Sequence, residues 1–341
     1  MADGGQSEDY LQALAIYDSL FPRYQSVEPQ IHRVEEFPGL EVKNCWFASN
    51  HGQKLVGYIY RRSGCEPLGV IVLAHGLGVG GQCVYMAAAD YFAAHGYLVF
   101  AYDATGNDQS EGESGIGMEQ GIIDLSAAIA YVEQDSELGG YPIALYGHSW
   151  GAYCVGAVLL DHPEVKAVVA VSGFNSSAEW MRYMLEASDS DGRMAVLQEH
   201  VEQIERIKFG RYADYSALAG FANTKACVML IQSRDDRNVP QGVGYDLYAK
   251  KYQQDQRFRF RLFEDRGHMY IFYTEAARAY DLQYMDELTL TPTEYGKAHS
   301  FDKTIGYALD LKLFADIVDF INQSCREKQS CTHEDGAIGW E

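Results

Sequence analysis

Residues 143–160, IALYGHSWGAYCVGAVLL, decide the fold class of this chain. The stretch begins with an apolar run that predicts a buried β-strand, and it ends with the spacing of a helix. The pattern GHSWG at 147–151 lies where the predicted strand passes into the helix. A turn this sharp needs glycine at both ends, and it leaves the Ser149 hydroxyl exposed above the edge of a sheet. The stretch therefore predicts a strand, a tight turn and a helix in direct succession.

The same alternation of strand and helix extends along most of the chain. Apolar runs predict strands at 69–74, 97–102, 143–146, 167–171 and 227–231, with helical spacing between them near 83–95, 118–134 and 150–161. Two alternating runs within 42–62 predict a hairpin, 242–253 a helix, 258–263 an exposed edge strand, and 309–323 a last helix. Apolar runs without alternation are typical of strands buried on both faces. The pattern predicts an α/β fold with a mostly parallel central sheet flanked by helices.

Two long segments interrupt this alternation. Residues 173–225 have helical spacing at Val196, Val201, Ile204 and Ile207, and they predict an inserted helical lid. Residues 269–305 form a second insertion that is rich in tyrosine and acidic residues. Near the start of the chain, the spacing of Leu11, Leu14, Ala15 and Leu20 predicts a helix over 8–21. The predicted organisation is an N-terminal helical extension (1–40), a core (41–172 and 226–323, interrupted by 269–305), a lid (173–225) and a polar tail (324–341).

Composition excludes several classes of partner. The chain has 48 acidic and 27 basic residues and a net charge of -21, so its surface repels nucleic-acid phosphates and anionic lipids. It contains no apolar stretch of about 18 residues that would insert in a membrane. The N-terminus lacks the pattern of a signal peptide, and the seven cysteines are scattered without a C-x-x-C pair that would suggest a metal site. We therefore expect a cytoplasmic protein without a metal.

The serine in this turn needs a base, and the base needs an acid that orients it. In proteins with this strand-turn-helix motif, the acid and then the histidine follow the serine along the chain. Asp235 and Asp236 come directly after the predicted strand CVMLIQ, and His268 follows the predicted strand FRFRLFE. The sequence thus predicts Ser149 as nucleophile and His268 as base, with either aspartate as the acid.

The transition state of such a reaction also needs hydrogen-bond donors for a developing oxyanion. The backbone N–H groups of Trp150, after the serine, and of Leu77, in the loop HGLG at 75–78, are the candidates. Within the predicted lid, Trp180, Met181, Tyr183 and Met184 could line an apolar substrate pocket or pack into the core of the lid itself.

The loop at 75–81 supports a competing interpretation. Gly76, Gly78 and Gly81 match G-x-G-x-x-G after a strand, and Asp103 ends the next predicted strand, as in folds that bind NAD. A dinucleotide site would leave the serine turn, the aspartate pair and His268 unexplained. The interpretation of Ser149 as a nucleophile, a hydrolase interpretation, uses the same loop for the oxyanion, and Asp103 then begins a turn and bonds to backbone groups.

These residues together resemble the α/β-hydrolase superfamily over about residues 40 to 323. The resemblance rests on HGLG (75–78), DATGNDQSEG (103–112), GHSWG (147–151), RDDRNVP (234–240) and GH (267–268). The second motif is similar to the family's D-x-x-G-x-G-x-S, with Asp108 in place of its second glycine. The spacing D-x-x-V-P, which starts at Asp236, resembles the way related sequences carry the acid and so favours Asp236 over Asp235.

Within the superfamily, the chain resembles the branch of lysophospholipase-like, monoacylglycerol-lipase-like and serine aminopeptidase-like proteins. That resemblance implies a serine hydrolase that cleaves a small carboxylic ester through an acyl-serine intermediate, without a metal or organic cofactor. A peptidase or amidase that acts on a short peptide or amide with the same three residues is the alternative. An NAD-dependent enzyme and a non-catalytic binding protein are more remote possibilities.

Overall fold

The computed structural model describes residues 7–64, 66–78, 80–188, 193–288 and 301–326. An eight-stranded sheet forms its centre. The strands are β1 (Glu41–Ala48), β2 (Lys54–Arg61), β3 (Gly69–Ala74), β4 (Tyr97–Tyr102), β5 (Ile143–His148), β6 (Ala167–Val171), β7 (Cys227–Ser233) and β8 (Phe258–Phe263). Their order across the sheet is β1-β2-β4-β3-β5-β6-β7-β8.

The sheet is parallel from β4 to β8, and of its eight strands only β2 runs in the opposite direction, antiparallel to both β1 and β4. This arrangement confirms the predicted fold class, including the hairpin at one edge and β8 at the other. Ala74 pairs with Gly147, His148 with Val171, and Ser233 with Phe263. Because the pairing continues to the ends of the strands, the loops that follow β3, β5, β6, β7 and β8 emerge side by side.

Helices cover both faces of the sheet. They are α1 (Glu8–Ser19), α2 (Met86–Ala94), α3 (Gln120–Gln134), α4 (Trp150–Ala157), α5 (Ser177–Ser188), α6 (Arg193–Phe209), α7 (Ala217–Asn223), α8 (Tyr245–Tyr252), α9 (Glu275–Leu288), α10 (Lys303–Gly306) and α11 (Leu311–Arg326). On β3, Val70 and Val72 face α3 and α4, whereas Ile71 and Leu73 face α2 and α11. The predicted apolar face of the last helix, Leu313, Phe314, Ile317, Val318 and Ile321, is buried. Successive strand residues thus enter two separate cores, which is why the strands read as continuous apolar runs.

The N-terminal helix packs against the predicted lid through a face that the sequence did not identify. The predicted helix is present, but its buried residues are Tyr10, Ala13 and Tyr17, whereas Leu11 and Ala15 are exposed. The prediction of a face with Leu11 and Ala15 was wrong because α1 packs against α6, where the aromatic side chains fill the contact.

The insertion at 173–225 is helical, as predicted, and consists of α5, α6 and α7. On α6, Val201 and Ile204 are buried and Val196 is half-buried, but Ile207 is 59% exposed. The second insertion forms α9 and α10, and its residues 289–300 lie outside the described part of the chain. So do residues 327–341 of the predicted tail and the first six residues of the predicted N-terminal extension.

Two further features bear on the predictions from composition. Within the described ranges, no helix combines the length and apolar character needed to cross a membrane. The five cysteines in these ranges, Cys45, Cys83, Cys154, Cys227 and Cys325, are free thiols. Cys65 and Cys331 lie outside the described residues.

Candidate active site

Ser149 occupies the turn between β5 and α4 in a backbone conformation that few residues adopt. Its φ is 56°, in the left-handed region that disfavours side chains with a Cβ atom. Its N–H donates to the Val171 carbonyl at 2.8 Å, and its carbonyl accepts from the Tyr153 N–H at 3.1 Å. These bonds fasten the strained turn to β6 on one side and to α4 on the other. The residue is half-buried, so its side chain remains accessible from the loop edge of the sheet.

The glycines on either side of this turn leave no room for a side chain. A Cβ atom on Gly147 would lie 2.3 Å from the carbonyl oxygen of Gly151. A Cβ atom on Gly151 would lie 2.1 Å from the carbonyl oxygen of Ala74. Both distances are far below van der Waals contact with rigid backbone, as the sequence motif predicts for a turn of this kind.

His268 and Asp236 form a buried hydrogen-bonded pair next to this turn. His268 Nδ1 lies 2.8 Å from Asp236 Oδ2, and the two side chains are 9% and 0% exposed. An ionised carboxylate can only accept, so in the neutral tautomer that fits this contact Nδ1 carries the proton and Nε2 has the lone pair. The His268 ring lies 4.8 Å, between centroids, from the ring of His148, the residue directly before Ser149. The structure therefore brings the predicted serine, histidine and aspartate to one end of the sheet.

Asp236 is held in place by the loop that follows β7. Its Oδ1 accepts the backbone N–H groups of Asn238 and Val239, both at 2.9 Å. The side-chain amide of Gln232 approaches its Oδ2 at 3.3 Å. The carboxylate is thus fixed by donors that are independent of His268, so it can orient the imidazole ring.

The Asp235 side chain does not contact the His268 ring; it binds the backbone of the loop that carries His268. Its Oδ1 accepts the Ser233 hydroxyl at 2.6 Å and the Gly267 N–H at 2.8 Å. Partial burial opposes its ionisation, but these hydrogen bonds outweigh burial and lower the pKa of Asp235. Of the two aspartates that the sequence left as alternatives, only Asp236 contacts the His268 ring.

The loop after β3 lies against the serine turn and has a fixed peptide orientation. A Cβ atom on Gly76 would lie only 3.6 Å from the Ser149 Cβ. His75 Nε2 accepts the Ala104 N–H at 3.0 Å, so its Nδ1–H donates to the Gly76 carbonyl at 2.7 Å. Burial lowers the pKa of His75 and favours this neutral form. Because C=O and N–H point in opposite directions in a trans peptide, the Leu77 N–H points away from His75.

Trp150, the second predicted oxyanion donor, is the first residue of α4. Backbone N–H groups in the first turn of a helix have no partner within the helix, and the helix dipole favours negative charge there. The Trp150 side chain is buried, and its indole N–H donates to the Met118 carbonyl at 2.7 Å.

The glycine-rich loop packs against two carboxylates. A Cβ atom on Gly81 would lie 2.5 Å from Asp108 Oδ2 and 2.7 Å from Asp103 Oδ1. Asp103 accepts the Tyr58 hydroxyl at 2.9 Å and the Gln82 N–H at 3.2 Å, and burial raises its pKa to about 7. Carboxylates at this position oppose the approach of a diphosphate. Asp103 thus accepts backbone N–H groups, those of Gln82 and, at 3.4 Å, of Gln109, as the hydrolase interpretation expects.

Asp108, which departs from the family motif, also has a structural role. Its φ is 38°, where the motif has glycine. Its carboxylate accepts the N–H and the hydroxyl of Ser26 at 2.6 and 2.5 Å, and so attaches the segment after α1 to this loop.

Comparisons with known proteins agree with this architecture. Residues 65–199 match the family Hydrolase_4, described as serine aminopeptidase, S33. Over 130 residues, the chain is 30% identical to the quorum-quenching protein AidA of Acinetobacter baumannii. That match covers 36% of this chain and 43% of the relative, so less than half of the relative's length is represented.

Solved structures show the same fold over most of the chain. An esterase of Pyrococcus furiosus is similar with a TM-score of 0.60 and 15% identity, over 89% of this chain and 99% of the esterase. An acylaminoacyl peptidase of Pyrococcus horikoshii is similar with a TM-score of 0.53 and 17% identity, over 79% of this chain and 44% of the peptidase.

The chain has the fold of the α/β-hydrolases. The family match includes three of the five motifs that carry the resemblance, those at 75–78, 103–112 and 147–151.

Helix α5 lies against the loop that carries Asp236. Trp180 stacks on Phe174 with centroids 5.1 Å apart, and its indole N–H donates to the Asn238 carbonyl at 3.0 Å. The Tyr183 hydroxyl donates to the Arg237 carbonyl at 3.2 Å. Of the other predicted pocket residues, Met181 is buried in the core at 2% exposure and Met184 is half-buried. Trp180 and Tyr183 thus contact the loop that carries Asp236, Met181 lies in the core, and Met184 is half-buried.

Sequence reasoning missed the side chains that support the site. His75, Tyr85, His148 and Gln232 all bond to loops at this end of the sheet. Two of them lie inside motifs that were recognised for other residues. The sequence signal for their role was only their position beside those motifs.

Proposed function

We propose that this protein is a serine hydrolase that cleaves carboxylic esters of small molecules through an acyl-serine intermediate. The observation that carries this proposal is the buried pair of His268 and Asp236 beside the strained turn of Ser149. An oriented imidazole with a free Nε2 is the base that a serine hydroxyl needs to become a nucleophile.

In this mechanism, Ser149 Oγ attacks the substrate carbonyl while His268 Nε2 takes its proton. Asp236 keeps the proton on Nδ1 and stabilises the imidazolium that forms. The N–H groups of Leu77 and Trp150 donate to the oxyanion of the tetrahedral intermediate. His268 then protonates the leaving alcohol, and in the second half it activates the water that releases the acid. The reaction needs no cofactor or metal.

The lid helices are the proposed source of substrate selectivity. Because α5 is fastened to the Asp236 loop by Trp180 and Tyr183, we propose that these residues, with the half-buried Met184, form a wall of the substrate site. Met181 would support that wall from the core. In the same proposal, residues 173–225 form the lid, with its boundaries at 173 and 225.

Amide hydrolysis is the second candidate. It is favoured by the matched family's description as serine aminopeptidase and by the similar fold of the acylaminoacyl peptidase. Both reactions use the same three side chains, so the leaving group decides between them. The name of the Acinetobacter relative adds quorum-sensing signal molecules to the substrates that merit assay.

The test compares the purified protein with Ser149→Ala, His268→Ala and Asp236→Asn. Each is assayed on p-nitrophenyl esters of increasing acyl length and on aminoacyl p-nitroanilides. Loss of a triad member in serine hydrolases lowers kcat by about 10⁴ to 10⁶, so we expect at most background turnover. Ser63→Ala, an exposed serine after β2, serves as the control and should match the unmodified protein.

Each result has a defined meaning for the proposal. Ester turnover that disappears with Ser149→Ala supports it, and turnover of anilides alone replaces it with the amide alternative. Equal ester turnover by Ser149→Ala and the unmodified protein refutes the assignment of the nucleophile.

A further inference from the structure

Three hydrogen bonds link the loop after β3 to the loop after β8 through two buried side chains. The Gly76 N–H donates to the Tyr85 hydroxyl at 3.2 Å. The Tyr85 hydroxyl lies 2.8 Å from His148 Nδ1, and His148 Nε2 lies 3.1 Å from the His268 carbonyl oxygen. The link therefore passes directly behind Ser149, which follows His148 in the chain.

The chemistry of the end groups fixes the direction of these bonds. A carbonyl oxygen can only accept, so His148 Nε2 must carry a proton. Burial, and then the nearby His268, hold the pKa of His148 well below its usual value, so the ring is neutral and Nδ1 accepts. Burial raises the pKa of Tyr85, which keeps its hydroxyl as a donor to Nδ1. Every link thus has one donor and one acceptor.

Packing holds the two side chains in this arrangement. His148 is 1% exposed and Tyr85 is 8% exposed. The ring of Phe272 contacts both edge-on, with centroids 4.7 Å from His148 and 6.1 Å from Tyr85. Water has little access to replace a lost link, so removal of one group leaves its partner unsatisfied in the interior.

We propose that Tyr85 and His148 are positioning residues that hold the oxyanion loop and the His268 backbone at a fixed separation across Ser149. This inference rests on the hydrolase function proposed above. Tyr85 fixes the N–H side of Gly76, and His75 fixes its carbonyl side, so the Leu77 N–H that follows has one orientation. His148 restrains the His268 carbonyl, as Asp235 restrains the preceding Gly267 N–H.

Such residues act on the rate of the chemical step more than on substrate binding. Displacement of a reacting group by about 1 Å can cost about 10²-fold in rate, whereas the substrate pocket itself is unchanged. Because both residues belong to one chain of bonds, loss of either should remove most of the effect of the other.

The experiment measures kcat and KM for ester hydrolysis in Tyr85→Phe, His148→Phe, His148→Gln and the double variant Tyr85→Phe/His148→Phe. We expect Tyr85→Phe to lower kcat by about 10-fold and His148→Phe by about 10²-fold, with KM within about 2-fold. The double variant should be no worse than His148→Phe. His148→Gln should recover part of kcat, since an amide offers one donor and one acceptor.

A purely structural role predicts a different pattern. Tyr85→Phe with unchanged kcat overturns the inference, as do multiplicative losses in the double variant or a His148→Gln variant no better than His148→Phe. Should His148→Phe fail to fold, the kcat of Tyr85→Phe decides alone. An unmodified protein that neither turns over esters nor reacts with a fluorophosphonate at Ser149 refutes the proposed function, and this inference with it.

Discussion

A buried pair of glutamates makes the stability of this protein depend on pH in a defined direction. Glu119, at the start of α3, is 0% exposed, and Glu205, on α6, is 1% exposed. Glu205 accepts hydrogen bonds from the hydroxyls of Ser177 on α5 and Tyr17 on α1. Burial raises the pKa of Glu205 to about 7, and burial together with the charge of Glu205 raises the pKa of Glu119. Glu205 thus connects α6 to α5 and α1 through these two hydrogen bonds.

The magnitude follows from the difference between the folded and unfolded pKa values. A pKa of about 7 against the usual 4.5 for Glu205 corresponds to about 3 kcal/mol of unfolding free energy. The folded protein keeps a proton in this window that the unfolded chain has released. The stabilisation is therefore complete below about pH 4.5 and is lost as the pH rises through about 7.

Urea unfolding of the unmodified protein and of Glu205→Gln tests this reasoning. Relative to the unmodified protein, Glu205→Gln should be more stable at about pH 8 than at about pH 5, by about 3 kcal/mol. Glu199→Gln, an exposed glutamate on the same helix, should follow the unmodified protein at both values. Identical pH dependence of the unmodified protein and Glu205→Gln would refute a proton held on this pair.

Three substitutions test the geometry of the serine turn and of the acid. Gly151→Ala places a Cβ atom 2.1 Å from the Ala74 carbonyl oxygen. We therefore expect loss of soluble protein or, in the protein that folds, loss of esterase activity. Normal activity would contradict the clash. Asp236→Asn should lower kcat by about 10⁴-fold because the tautomer of the histidine is no longer fixed, whereas Asp235→Asn should cost about 10-fold or less. Equal losses in a kinetic assay of the two variants would show that the contact with the ring does not define the acid.

The fold was predictable because its signals are local. Each apolar run at 69–74, 97–102 and 167–171 is a strand with those bounds, since strands buried on both faces leave little choice of residue. Helix ends were less predictable: the helical spacing near 150–161 continues past α4, but its last turn, Val158–Leu160, is a 3-10 helix. The face of α1 was missed because its partner, α6, lies far along the chain.

In the candidate site, too, the residues with local sequence signals were predictable, and those that depend on contacts between separate elements were not. Ser149 and His268 follow strands in motifs that can be read locally, and the structure brings them to one end of the sheet. Asp235 and Asp236 are neighbours after the same strand, so residue identity alone could not separate them. Their side chains have different partners, and only that of Asp236 contacts the His268 ring. The link through Tyr85 depends on contacts across three elements, and no sequence pattern records it.

The central claim is that Ser149 is the nucleophile, and covalent labelling tests it most directly. The protein and its Ser149→Ala variant are treated with a fluorophosphonate, digested and mapped by mass spectrometry. We expect one adduct, on the peptide that contains Ser149, which is absent from the variant and from protein unfolded before treatment. An adduct on another residue, or equal labelling of both proteins, would contradict it.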